Sequence, residues 1–153
     1  MHKFLFLLFF ICMGSISNAQ YIYPYQDIKL EKPSDYKETE PLALSASTYL
    51  LTTPFTANDK SKAGALNFLL NWMAGMKEYD IYIRGVFKEL SEETEVTALF
   101  IAALVKYSLE NKKTSPTPMI VENNACKMVL AYCDNPDNKY RIKKKCRKIL
   151  KKN

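Results

Sequence analysis

Apolar residues are distributed along this chain in three regimes. Residues 4–13 (FLFLLFFICM) form an unbroken apolar run behind the basic start His2 and Lys3. Residues 20–40 show no sustained period, and Tyr21, Tyr23, Tyr25 and Tyr36 stand among prolines and scattered charges. From residue 41 onward apolar side chains recur at helical spacing. Thr39 and Pro41 predict the start of a helix over 42–51, stopped by Thr52, Thr53 and Pro54. Asn58 or Asp59 can cap a second helix running to about residue 77, with Leu66, Leu69, Leu70, Met73 and Met76 as its core stripe and Trp72 beside it. Residues 79–90 are ambiguous between a short strand and an irregular connection. Ser91, followed by Glu92 and Glu93, predicts the start of a third helix reaching residue 110, since a hydroxyl cap and carboxylates suit the positive helix end. Its stripe is Val96, Leu99, Phe100, Ala103, Leu104 and Tyr107, widened by Ile101 and Val105. A fourth helix takes 119–132. The turn at 134–138 leads into a fifth, with Ile142, Cys146, Ile149 and Leu150 facing inward. The expected fold is all-α: a compact single-domain bundle of four to five helices over 41–153, with an extended Tyr/Pro-rich arm over 20–40.

The first nineteen residues have the pattern of an export signal, with small residues Ser17 and Ala19 where a signal peptidase reads. An apolar run of about ten residues is too short to span a bilayer as a helix. The reading is therefore a cleaved signal over 1–19 and a periplasmic product without an integral membrane segment. His2, the only histidine, leaves with the signal. The mature chain then carries 21 Lys/Arg against 16 Asp/Glu, and the excess is local. Residues 139–153 hold nine basic residues and no acid, whereas 20–138 hold 12 basic and 16 acidic. The helical spacing of the basic segment favours a solvated face on a packed helix over a membrane-surface or charged-partner role. Export argues against nucleic acid as a partner.

Three cysteines survive signal removal: Cys126, Cys133 and Cys146. In an exported chain a disulfide is expected. Cys126 and Cys133 sit two turns apart on one helix, roughly 10 Å along its axis, too far to bond. If the last two helices form an antiparallel hairpin about 134–138, Cys126 and Cys146 stand at the same height. Cys126–Cys146 is thus the favoured bridge, giving a disulfide-linked C-terminal hairpin, with Cys133–Cys146 as the alternative.

Losing histidine removes the usual nucleophile–histidine arrangements and the HExxH zinc site. Glu92, Glu93 and Glu95 cluster, but at a helix start they read as capping residues. Glu78 and Asp80 carry no sign of a cleft. Ser61 is followed directly by Lys62, without the three-residue spacing of penicillin-binding enzymes. No phosphate-cradling glycine loop is present. The sequence argues against an enzyme, a cofactor and a bound metal.

Two stretches, residues 67–80 (NFLLNWMAGMKEYD) and residues 104–111 with 124–133 (LVKYSLEN … NACKMVLAYC), resemble periplasmic immunity proteins that neutralise peptidoglycan amidases delivered by type VI secretion. The second has that family's order of helix, short loop and helix ending in cysteine. The likeness covers about 66–133. It departs where such proteins usually place a cysteine, at positions held here by Phe68 and Leu90, so any disulfide network differs. The resemblance implies a protein partner, a cell-wall amidase whose cleft is occluded, and a homodimer. Occlusion requires a protruding rigid loop rather than catalytic residues, and the candidate lies at residues 112–118, where Lys112, Lys113, Thr114, Ser115 and Thr117 offer polar contacts between prolines. The alternative is a periplasmic holdase chaperone or another helical protein-binding module.

Overall fold

The structure is a computed structural model describing residues 25–76 and 85–153. The export signal, the start of the arm, the expected end of the second helix at residue 77 and the ambiguous stretch 79–84 lie outside the described residues. Among the described residues there are seven α-helices and no strand: α1 (Pro33–Glu38), α2 (Glu40–Thr52), α3 (Lys60–Gly75), α4 (Val86–Leu90), α5 (Thr94–Glu110), α6 (Pro118–Asp134) and α7 (Lys144–Lys152). Short 3-10 turns occur at Tyr25–Asp27, Lys112–Thr114 and Pro136–Asn138. The all-α expectation holds, and the five helices of nine or more residues correspond to the five anticipated ones.

Helix α5 organises the rest. Eleven of its 17 residues are buried, so it is apolar almost all round and must be covered on more than one side. Ile101, Ala102, Val105 and Leu109 pack with Ala46, Leu50, Leu69 and Trp72 of α2 and α3. Val96, Leu99, Phe100, Ala103 and Leu104 pack with residues of α4, α6 and α7, among them Leu90, Val129, Tyr132 and Leu150. Two cores therefore share one central helix.

The arm is not extended throughout. Its second half forms α1, where Pro33 presets the first helical turn and the Asp35 carboxylate accepts the backbone N–H groups of Glu31 (3.0 Å) and Lys32 (2.9 Å). Those hydrogen bonds hold the Asp35 carboxyl below its ordinary pKa. A six-residue helix is too short to show a period, which is why the pattern missed it. The described part of the arm, from Tyr25 onward, packs on the domain. Tyr25 stacks on Phe68 at 5.4 Å, Tyr36 donates through its hydroxyl to the Leu30 carbonyl, and Trp72 Nε1 donates to the Tyr36 carbonyl at 2.8 Å. Gly75 is required beside that ring, since a Cβ there would fall 2.0 Å from Tyr36 Cζ.

Three local expectations are corrected. Helix α3 is capped by Asp59, whose Oδ1 accepts from Ser61 N and Lys62 N, but its buried stripe is Ala65, Phe68, Leu69, Trp72 and Met76, leaving Leu66, Leu70 and Met73 half-buried. Ser91 does not cap α5. It closes α4, its Oγ donating to the Lys88 carbonyl, and α5 starts three residues later at Thr94. The ambiguous stretch ends as helix α4, whose first amide, Val86 N, donates to Glu122 Oε1 at 3.0 Å. The Gly85 φ of +49° and its tight approach to Glu122 both suit a residue without a side chain.

The disulfide-linked hairpin is also corrected. Cys126, Cys133 and Cys146 are separate buried thiols. Residues 139–143 are not helical, and Lys139 takes a left-handed conformation, so α7 starts at Lys144 instead of 139. Non-helical chain advances further per residue than helix, so the equal-height argument fails. The Arg147–Asp134 ion pair instead sets the start of α7 beside the end of α6.

Candidate functional site: a surface projection, a buried lysine and a basic face

The projection between α5 and α6 is built by local hydrogen bonds. Asn111 Nδ2 donates back to the Tyr107 carbonyl (2.9 Å), and Thr114 Oγ1 donates to the Asn111 carbonyl (2.8 Å). Ser115 then adopts a left-handed conformation, φ +43°, that reverses the chain. Thr117 caps α6 by accepting from Ile120 N, and Pro118 occupies the first helical turn. Lys113, Thr114, Ser115 and Thr117 are exposed, as the sequence suggested. Lys112 is already engaged, its Nζ 2.7 Å from Glu40 Oε2 at the start of α2, so it anchors the loop to the body. Directly after the loop come Met119, 68% exposed, and Ile120, 43% exposed, the exposed large apolar side chains among the described residues. Sequence reasoning passed over them, although they fall outside the stripe Val121, Ala125, Val129 and Tyr132 that α6 buries.

A second polar cluster ties four elements together. The Lys62 side chain, 7% exposed, places Nζ 3.4 Å from Glu95 Oε1 and 3.3 Å from the Tyr132 hydroxyl, with the Tyr132 ring 5.6 Å away. The Tyr132 hydroxyl donates to the Thr53 carbonyl at 2.8 Å. Burial, with Glu95 adding to it, pushes the Tyr132 phenol well above its ordinary pKa, so it stays protonated and serves as a tie. A cleft of about 230 Å³ opens over this cluster, lined by Leu50, Phe55, Leu66 and Leu99 with Asp59 and Glu95 at its edge. That is below the usual range for small-molecule sites, roughly 300–1,000 Å³. Periodicity could place Ala65, Leu69, Trp72 and Met76 on one helical stripe, but a charge at its first position, Lys62, gave no signal of burial without the partners that meet it, Glu95 and Tyr132.

The three thiols are buried and not bonded to one another. Burial raises the pKa of Cys126 and Cys133 to about 11 each, with Glu122 adding to the effect on Cys126, and burial also raises that of Cys146. Thiolate is the reactive form, so a polar maleimide at neutral pH should leave these three thiols unlabelled in the native protein while labelling all three after denaturation. Finding two of them blocked in unreduced, denatured protein would contradict the arrangement. Among the described residues no group of three or more His, Cys, Asp or Glu side chains is placed to hold a metal ion, and no helix is long and apolar enough to cross a membrane.

Helix α7 packs through Cys146, Ile149 and Leu150 and exposes its lysines. The carboxylates that precede α5 are used here: Glu93 pairs with Lys143 and Glu92 with Lys145, while Arg147 pairs with Asp134. Lys145 holds the Glu92 carboxyl below its ordinary pKa.

No family model, curated protein or solved structure matches the chain. The class defined by fold and surface is therefore an all-α domain carrying an anchored projection and a basic helix face.

Proposed function

We propose that this protein is an exported binding module that engages a protein partner through residues 112–120, and that the partner is a peptidoglycan amidase, the class implied by the sequence resemblance. The exposure of Met119 and Ile120 at the rim of the projection carries the reading. Two adjacent apolar side chains are left in water, whereas the other large apolar side chains among the described residues are buried or half-buried. They sit beside Lys113, Thr114, Ser115 and Thr117, a small apolar centre with a polar rim. Methionine is unbranched and adapts to irregular surfaces. The Lys112–Glu40 pair and the two prolines hold the loop in place, which lowers the entropy lost on docking. A holdase would require a broad apolar face, and the described surface offers these two side chains instead. The resemblance further suggests that the inhibitor acts as a homodimer, which equilibrium sedimentation would read directly.

The test is inhibition by the mature chain of a cell-wall amidase encoded beside it. Wild type should stop peptidoglycan cleavage at equimolar concentration. The double variant M119D/I120D should bind roughly 100-fold more weakly, the loss of a hot-spot pair, while melting at the same temperature because neither side chain is in a core. Should the chain bind no wall hydrolase of its own genome, the amidase reading fails. If an amidase is bound equally well by the double variant, the projection is not the contact.

A further inference from the structure

We infer that the outward face of α7 is an electrostatic docking face for a bilayer containing anionic phospholipid. The inference does not depend on the amidase reading. A helix turns about 100° per residue, so Lys144, Lys148, Lys151 and Lys152 fall within about 100° of arc and about 12 Å of length. That arc lies opposite the buried Cys146, Ile149 and Leu150. All four lysines are exposed, and among the described residues no carboxylate lies within ion-pair distance of any of them.

The flanks make the arrangement more than a run of lysines. Lys143 and Arg147 stand on one side of the quartet and Lys145 on the other, and each pairs with a carboxylate of the body, Glu93, Asp134 and Glu92. Those pairs neutralise the acids nearest the helix, which would otherwise repel an anionic surface at its rim. They also brace α7 against rotation. The charge asymmetry works in the same direction: residues 139–153 hold nine basic residues and no acid, while 20–138 carry a net negative charge, so a negative surface attracts the basic segment and repels the rest.

The chemistry of the face selects the partner. It has no exposed apolar side chain between the lysines, so it reads charge density. Because the apolar side of α7 is already buried in the core, it cannot insert among acyl chains as an interfacial amphipathic helix does. Contact would stay at the headgroups. Each lysine near an anionic leaflet contributes modestly, and the effect decays over a Debye length, so binding should be reversible and strongly salt-dependent.

Co-sedimentation of the mature chain with lipid vesicles tests this. Wild type should bind vesicles containing phosphatidylglycerol at low salt, release as salt rises, and ignore vesicles of pure phosphatidylcholine. The neutral variant K144Q/K148Q/K151Q/K152Q should bind roughly 100-fold or more weakly, while K113Q, on the projection, should bind as wild type does. The salt titration of the wild type keeps the test valid if the quadruple variant is unstable. Equal binding to both vesicle types, no binding to anionic vesicles at low salt, or full binding by a folded quadruple variant would each overturn the inference. Tighter binding to soluble polyphosphate than to the anionic vesicles would assign the face to a soluble polyanion instead.

Discussion

Replacing Trp72 with alanine is expected to cost about 4–5 kcal/mol, a large part of the stability of a domain this size. The indole is fully buried in α3 against α2 and α5, so truncation leaves a cavity that rigid helices cannot close. It also removes the Nε1–H bond to the Tyr36 carbonyl, which is the tie from the core to α1. Trp72→Phe preserves most of the volume and loses the hydrogen bond, so it should cost about 1–2 kcal/mol. Chemical denaturation of both variants gives the comparison. An alanine variant within about 1 kcal/mol of wild type would mean that the arm and the α2–α3 layer are not packed as described.

The second large effect is an asymmetry between the two partners of one ion pair. Lys62 and Glu95 are 3.4 Å apart, but the lysine side chain is 7% exposed and the glutamate 26%. Glu95→Ala leaves an ammonium inside the protein with the Tyr132 hydroxyl as its remaining close polar contact among those described, and is expected to cost about 2–3 kcal/mol. Lys62→Met leaves a carboxylate that water can still reach and puts an unbranched apolar side chain on the buried stripe, so about 1 kcal/mol or less is expected. Urea midpoints measured at neutral pH would show the ordering. Equal losses, or a greater loss for Lys62→Met, would show that the lysine is more hydrated than its burial indicates.

What the sequence revealed follows from how strongly each segment constrains its own burial. Helix α5 was legible because apolar residues surround it, and a helix of that kind has only an interior to occupy. Helix α3 was found but wrongly phased. Leu66, Leu70 and Met73 offered a plausible apolar stripe, whereas the actual one includes Lys62, which the pattern had no means to admit without knowing that Glu95 and Tyr132 meet it. Ser91 carries a good capping hydroxyl, yet its Oγ bonds to Lys88 O in the turn that closes α4; such competition between neighbouring helix ends is invisible to a one-residue rule. The position of Cys146 depended on a non-helical stretch over 139–143, where Asn138 Nδ2 donates to the Tyr132 carbonyl and Phe55 N donates to Asn138 O from a distant loop. At the projection, prolines and hydroxyls marked the loop. The exposure of Met119 and Ile120 was not legible, because no inward stripe is assigned to the fourth helix from the sequence and an apolar pair at a helix start does not by itself show which way it faces.

The sharing of α5 by two cores has a thermodynamic consequence. Neither the α2–α3 layer nor the α4–α6–α7 layer can detach without uncovering one side of that helix to water, so the two are expected to melt in a single transition. A ligand that favours the folded form at either surface then protects both. A partner held at residues 112–120 would raise the free energy of releasing α7, and adsorption of α7 on a charged bilayer would in turn reinforce the scaffold from which the projection extends.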